Sequence, residues 1–106
     1  MTAPLILGID DLRPLPHCTH VARTSQDGLR LLQEHRDTHI TELWLDHDLG
    51  GADTILPVLT LLEQAAFEGE PFAIGTIFVH SANPTGADTV LRALHRWNYR
   101  ARRATA

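Results

Sequence analysis

The sequence predicts a three-layer α/β domain built on a parallel sheet of about five strands. Two observations carry this prediction. Short, nearly continuous apolar runs alternate with longer stretches in which apolar residues recur at helical spacing. That alternation implies parallel strands joined by right-handed crossovers. In addition, three of the runs stop abruptly at Asp- and His-bearing segments. Such segments are expected where strands of an open parallel sheet end at a ligand crevice.

The elements follow in order. Leu5 to Ile9 reads as a first strand buried on both faces, as parallel strands are, and it stops at Asp10-Asp11. Leu12 to Pro16 carries two prolines, so a loop is expected there in place of a helix. Thr19 to Thr24 gives a short second strand. Ser25 is expected to cap a helix that has Asp27 in its first turn and ends near His35. Ile40 to Leu45 is a third strand, running into Asp46-His47-Asp48-Leu49-Gly50-Gly51. Asp53 or Thr54 is expected to cap the next helix, with Pro57 tolerated near its start and Gly69 ending it. Ala73 to Val79 is a fourth strand and leads into His80-Ser81. A helix from Thr85 to Trp97 follows, and Tyr99 to Arg102 is a short fifth strand with no helix after it.

Composition narrows the partners. The 106 residues suffice for one domain with one core. The net charge of −4 argues against a nucleic acid polymer, whose phosphates demand a basic face. All nine basic residues are Arg, three of them clustered as Arg100, Arg102 and Arg103. The single cysteine, Cys18, excludes an internal disulfide. No apolar run approaches membrane-spanning length and no signal peptide is visible, so a cytoplasmic location is expected.

Candidate chemistry sits at the strand ends. In a 2-1-3-4-5 strand order the switch point lies between strands one and three, with strand four adjacent. Asp10, Asp11, Asp46 and Asp48 would converge there with His47 and His80. Converging carboxylates repel one another unless a cation lies between them, and Asp oxygens favour Mg²⁺ or Mn²⁺. An added imidazole tilts the preference toward Mn²⁺, Fe²⁺ or Zn²⁺. His80 has a side chain suited to general acid or base work near neutral pH. Ser81 and amides near Asn83 are candidates to hold phosphate oxygens at the start of the last helix.

At these residues the chain resembles a two-component receiver domain, with an Asp pair after strand one, an Asp after strand three and Ser-Ala after strand four. It resembles most closely a divergent branch, the cyclic-phosphate-processing receiver-like domains. Leu45-Asp46-His47-Asp48-Leu49-Gly50 and His80-Ser81-Ala82-Asn83-Pro84-Thr85-Gly86 carry the likeness. The resemblance implies a flavodoxin-like fold, from which this chain departs in having its first helix replaced by the proline-containing loop and its last absent. It implies Asp10 and Asp11 as metal ligands, Asp46 as the acceptor-like position and Ser81 as a phosphate contact. A small phosphorylated ligand or a cyclic nucleotide is the implied partner. The expected activity is that of a divalent-metal-dependent phosphodiesterase or phosphatase in which Asp46, His80 and His47 act on the substrate. The alternative is a signalling module, working by phosphoacceptance at Asp46 or by protein–protein interaction. Receivers carry a Lys at the end of strand five, and this chain has none; Arg100 or Arg102 would have to stand in, with a wider fork. A missing last helix would leave surface uncovered, which raises the expectation of a homodimer.

Plainer roles compete at each position. Asp46 and Asp48 suit the stabilisation of a Gly50-Gly51 turn, and Asn83-Pro84 is a helix cap followed by its first residue. His47 suits a structural bond to a loop. Trp44 and Trp97 fall in apolar stripes and read as core, while His17 and the remaining histidines read as surface.

Overall fold

The computed structural model describes residues 3–104. Five strands, β1 (Ile6–Ile9), β2 (His20–Ala22), β3 (Ile40–Asp46), β4 (Ile74–His80) and β5 (Ala101–Arg103), form one parallel sheet in the order β2-β1-β3-β4-β5. Three helices, α1 (Ser25–Glu34), α2 (Leu56–Phe67) and α3 (Pro84–Arg96), connect them. The doubly wound order expected from the sequence is the order observed.

Handedness then fixes the layers. The crossovers through α1, α2 and α3 all step in the same direction across the sheet, so right-handed connections put all three helices on one face. The step from β1 to β2 runs the other way. Its connection, residues 10–19, therefore lies on the opposite face, and that loop is what forms the third layer there.

Strand alternation divides the side chains accordingly. Leu7, Ile9, Leu43, Leu45, Ile77 and Val79 face the helices and are at most 2% exposed. They pack with Leu32, Val58, Leu62, Val90 and Leu94, and each such side chain contributes roughly 1.5–3 kcal/mol of apolar burial. The alternate residues are different. Trp44 and Phe78 are register partners and stand stacked, ring centroids 4.3 Å apart, with Arg102 5.0 Å over the Phe78 ring. His17 of the loop meets Trp44 edge-on at 4.5 Å. Trp44 is thus half-buried under the loop and not part of the helical core that its apolar neighbours suggested.

Two capping expectations are corrected. Thr24, not Ser25, caps α1, accepting the Asp27 amide at 3.1 Å. Asp53 does not cap its own helix but accepts from the Ser25 amide at 2.9 Å and from its hydroxyl. A folded loop brings these partners together across 28 positions of sequence. At the start of α2 the cap position is Ile55, which offers no side-chain acceptor, and Leu56 N–H reaches Thr54 Oγ1 only at 3.3 Å. Asn83 caps α3 as expected, with Pro84 opening the helix.

The loop seats tightly because β1 offers it a glycine. A Cβ built on Gly8 would lie 2.6 Å from Leu15 Cδ1 and 2.9 Å from Cys18 Sγ. Gly8→Val is expected to lift the loop and cost ~1–3 kcal/mol of stability, measured by urea unfolding.

Candidate functional site

The strand register builds the site directly. Asp46 and His80 end adjacent strands as register partners, and therefore point to the same side of the sheet. Asp10 follows β1, on the other side of β3. One ligand-type atom from each of Asp10, Asp46 and His80 lies within 4.8 Å of the others. Two oxygens and one imidazole nitrogen at such separations suit a divalent cation.

Asp10 is 4% exposed, and its burial is compensated locally. Oδ1 accepts the amides of Leu12 at 3.1 Å and Arg13 at 2.9 Å, which turns the chain sharply out of β1. Arg23 fixes that turn from below, its Nη1 donating to the carbonyls of Asp10 and Arg13. Asp46 has no comparable support; its Oδ1 meets the Asp48 amide only at 3.4 Å. Burial, then the neighbouring Asp10 carboxylate, and more weakly Asp11 and Asp48, push the Asp46 carboxyl up to about 6 against that hydrogen bond. His80 is shifted the other way. Burial holds its protonated form down, and the Arg13 and Arg103 guanidiniums add to this against an opposing pull from Asp10. Its Nδ1 is buried and has no hydrogen-bond partner among the described residues.

The other expected residues lie outside this group. The Asp11 carboxylate lies beside Gly50, where a Cβ would be 3.2 Å from Oδ2. Asp48 is exposed and meets His47 Nδ1 at 3.1 Å. The His47 ring rests on the first turn of α3, 2.9 Å from where a Cβ on Gly86 would stand. The Gly50-Gly51 turn is held by backbone bonds between Leu49 and Asp53 and between Asp53 and Gly50, so neither Asp46 nor Asp48 is needed for it. Ser81 is buried, its Oγ accepting the Asn83 amide at 2.9 Å, and Asn83 Oδ1 is occupied by the Gly86 amide at 3.1 Å.

Arg100 lies away from the group. Its carbonyl accepts from Ile77 N–H, and it lines a separate cavity with Ile74 and Gly75 at the N-terminal end of β4. Because β5 runs parallel to β4, the arginine carried toward the site is Arg103, the register partner of Val79. Sequence reasoning also passed over Arg13, which lines a cavity of about 220 Å³ with Asp10, Leu15, His17, Trp44 and His80. A loop residue without periodicity gives no signal, whereas Trp44 falls on the face opposite Leu43 and Leu45 by simple alternation.

The sheet order, the loop in place of a first helix and the Asp46–His80 pair now stand beside a family model that matches residues 5–96, the cyclic-phosphate processing receiver domain. The chain belongs to that family. No curated protein matches it. Among the described residues no helix is long and apolar enough to cross a membrane.

The raised Asp46 carboxyl has a measurable consequence. A group bound to its proton more tightly when folded favours the native state below its unfolded value of 3.8, and that contribution is lost as pH rises through about 6. In chelator-treated protein, Asp46→Asn is therefore expected to stabilise the fold above pH 6, by on the order of 1 kcal/mol once solvent screening is allowed for. The gain over wild type should vanish below pH 4. Thermal melts of both proteins at matched pH check this, and equal stabilities at pH 7.5 would contradict it.

Proposed function

We propose that this receiver domain hydrolyses a cyclic phosphate or related phosphodiester, assisted by a divalent cation that Asp10, Asp46 and His80 would hold. The convergence of these three groups at the switch point carries the reading. The donor chemistry fits: two carboxylates that repel each other gain from a shared cation, and the imidazole favours Mn²⁺ or Zn²⁺ over Mg²⁺. A ligating His must be neutral, and the burial and guanidiniums around His80 favour that form. In this reading His80 serves as a ligand and not as the proton carrier expected from the sequence. When bound, the cation would polarise a phosphoryl oxygen and offset charge developing on it.

The chain's own residues do the rest. Arg13 and Arg103 supply the positive charge that a Lys provides in ordinary receivers. Asp11 and Asp48 add negative potential around Asp46 without joining the donor set, which strengthens the demand for a cation. Ser81 Oγ already accepts a bond from Asn83, so its hydroxyl hydrogen remains to be donated to a phosphoryl oxygen. Asn83, engaged as the α3 cap, shapes that turn and is not assigned a phosphate contact of its own.

Metal-stripped protein incubated with 2′,3′-cyclic and 3′,5′-cyclic nucleotides and a generic phosphodiester is expected to form product only on addition of Mn²⁺ or Zn²⁺. Asp46→Ala and His80→Ala should each lower that turnover by roughly 10²-fold or more while circular dichroism stays unchanged. Full turnover in Asp46→Ala would overturn the reading. So would a mass gain of one phosphoryl group on incubation with acetyl phosphate and Mg²⁺, lost in Asp46→Asn, which identifies a phosphoaccepting signalling domain.

A further inference from the structure

The cavity beside the donor set has walls that hydrolysis of a bare phosphodiester leaves unused. We propose that this cavity is a specificity pocket for a mononucleotide-type phosphoester: Trp44, Leu15 and Pro14 seat one flat ring system, and Arg13 holds a phosphoryl oxygen at the rim. The inference rests on the phosphoester reading above and names its substrate class.

Continuity is the first argument. Asp10 and His80 line the same cavity as Trp44 and Leu15, so a ligand lodged against the apolar wall reaches the donor set without a second site. Convergence of a few polar groups on an apolar-walled hollow is the usual form of a small-molecule site.

The wall is also preorganised. Trp44 is held on three sides: its ring is stacked on Phe78 at 18° between planes, His17 meets it edge-on, and Nε1 donates to Glu42 Oε1 at 2.8 Å. These contacts hold the indole in place at the edge of the cavity. Leu15 is pinned from the other side against Gly8. An apolar hollow between two fixed walls gains most from a rigid, flat occupant, which loses little rotamer freedom on binding.

Charge supplies the other half of the ligand. The Arg13 guanidinium makes no ion pair or hydrogen bond among the described residues, yet its backbone is clamped by Asp10 and Arg23. A guanidinium that lines the same cavity as His80 and has no carboxylate of its own offers a fork that suits a phosphoryl group.

Size sets the limit. At about 220 Å³ the cavity falls below the ~300 Å³ at which drug-sized sites begin, so one base enters and the ester group stays at the rim.

Titration calorimetry on the full chain, metal-free in chelator, separates the parts. Adenosine 3′-monophosphate is expected to bind at least ~10-fold more tightly than ribose 5-phosphate, which lacks the ring, and than adenosine, which lacks the phosphate. Arg13→Gln, a change on an exposed loop, should lower nucleotide affinity by about 10-fold and leave adenosine affinity unchanged. Trp44→Leu should weaken both adenosine and nucleotide while leaving Mn²⁺ affinity as in wild type. Equal binding of ribose 5-phosphate and nucleotide, or an Arg13→Gln protein that binds nucleotide normally, would overturn the pocket. Its failure is separable from that of the hydrolytic reading. Metal-dependent cleavage of a small diester without nucleotide preference removes only the pocket. Nucleotide preference without turnover of any substrate leaves the pocket standing and removes only hydrolysis.

Discussion

A parallel strand that crosses to a parallel neighbour turns right-handed, and in this chain the rule acts three times in one direction and once in the other. The three like turns stack α1, α2 and α3 on one face and generate the helical core. The single opposite turn sends residues 10–19 over the far face. It leaves a crevice where the chain departs from β1 one way and from β3 the other. Asp10 stands on one side of that crevice and Asp46 and His80 on the other. The site is therefore a consequence of connectivity, and no special backbone strain is needed to assemble it.

Bringing Asp10 and Asp46 together has an electrostatic cost, which falls unequally on the two carboxylates. Asp10 is the more buried, yet two amides and a fixed turn support its charge. Asp46 has one long hydrogen bond and three acidic neighbours, so the penalty concentrates there. Among the described residues no basic side chain lowers the Asp46 carboxyl: Arg13 and Arg103 act on His80, and no Lys exists in the chain.

The strands and the polar residues that end them were legible because each depends on local pattern, and given the 2-1-3-4-5 order of the receiver likeness the strand ends carrying Asp46 and His80 were expected to converge. Side-chain partnerships across the sequence were not. Asp53 was expected to cap its own helix, and no local rule reveals that it bonds Ser25 of the preceding helix instead. The arginines show how sensitive such inference is to strand ends. The fifth strand was expected over Tyr99 to Arg102 but runs from Ala101 to Arg103, and the offset changes which arginine reaches the site. Asp11 was placed in the donor set by the receiver resemblance, and Asp48 because the cluster that ends the third strand was expected to converge on the crevice. In the fold the Asp11 carboxylate lies beside Gly50 and Asp48 is exposed against His47, so their charges act on Asp46 from outside the group.

Trp44 connects these observations. In a receiver with its first helix intact, the face bearing Trp44 and Phe78 would be covered along its length by a helix, and two large stacked rings there would serve as core. Here a proline-containing loop covers that face, close over Gly8 and open beside Trp44. The same loop turns on the Asp10 carboxylate and carries Arg13 and His17. Loss of the helix, exposure of an aromatic wall and delivery of a guanidinium to the acidic crevice are thus one structural change, not three. The indole is fixed by a stacked ring and a hydrogen-bonded carboxylate, holding one wall of the hollow that opens onto the acidic crevice.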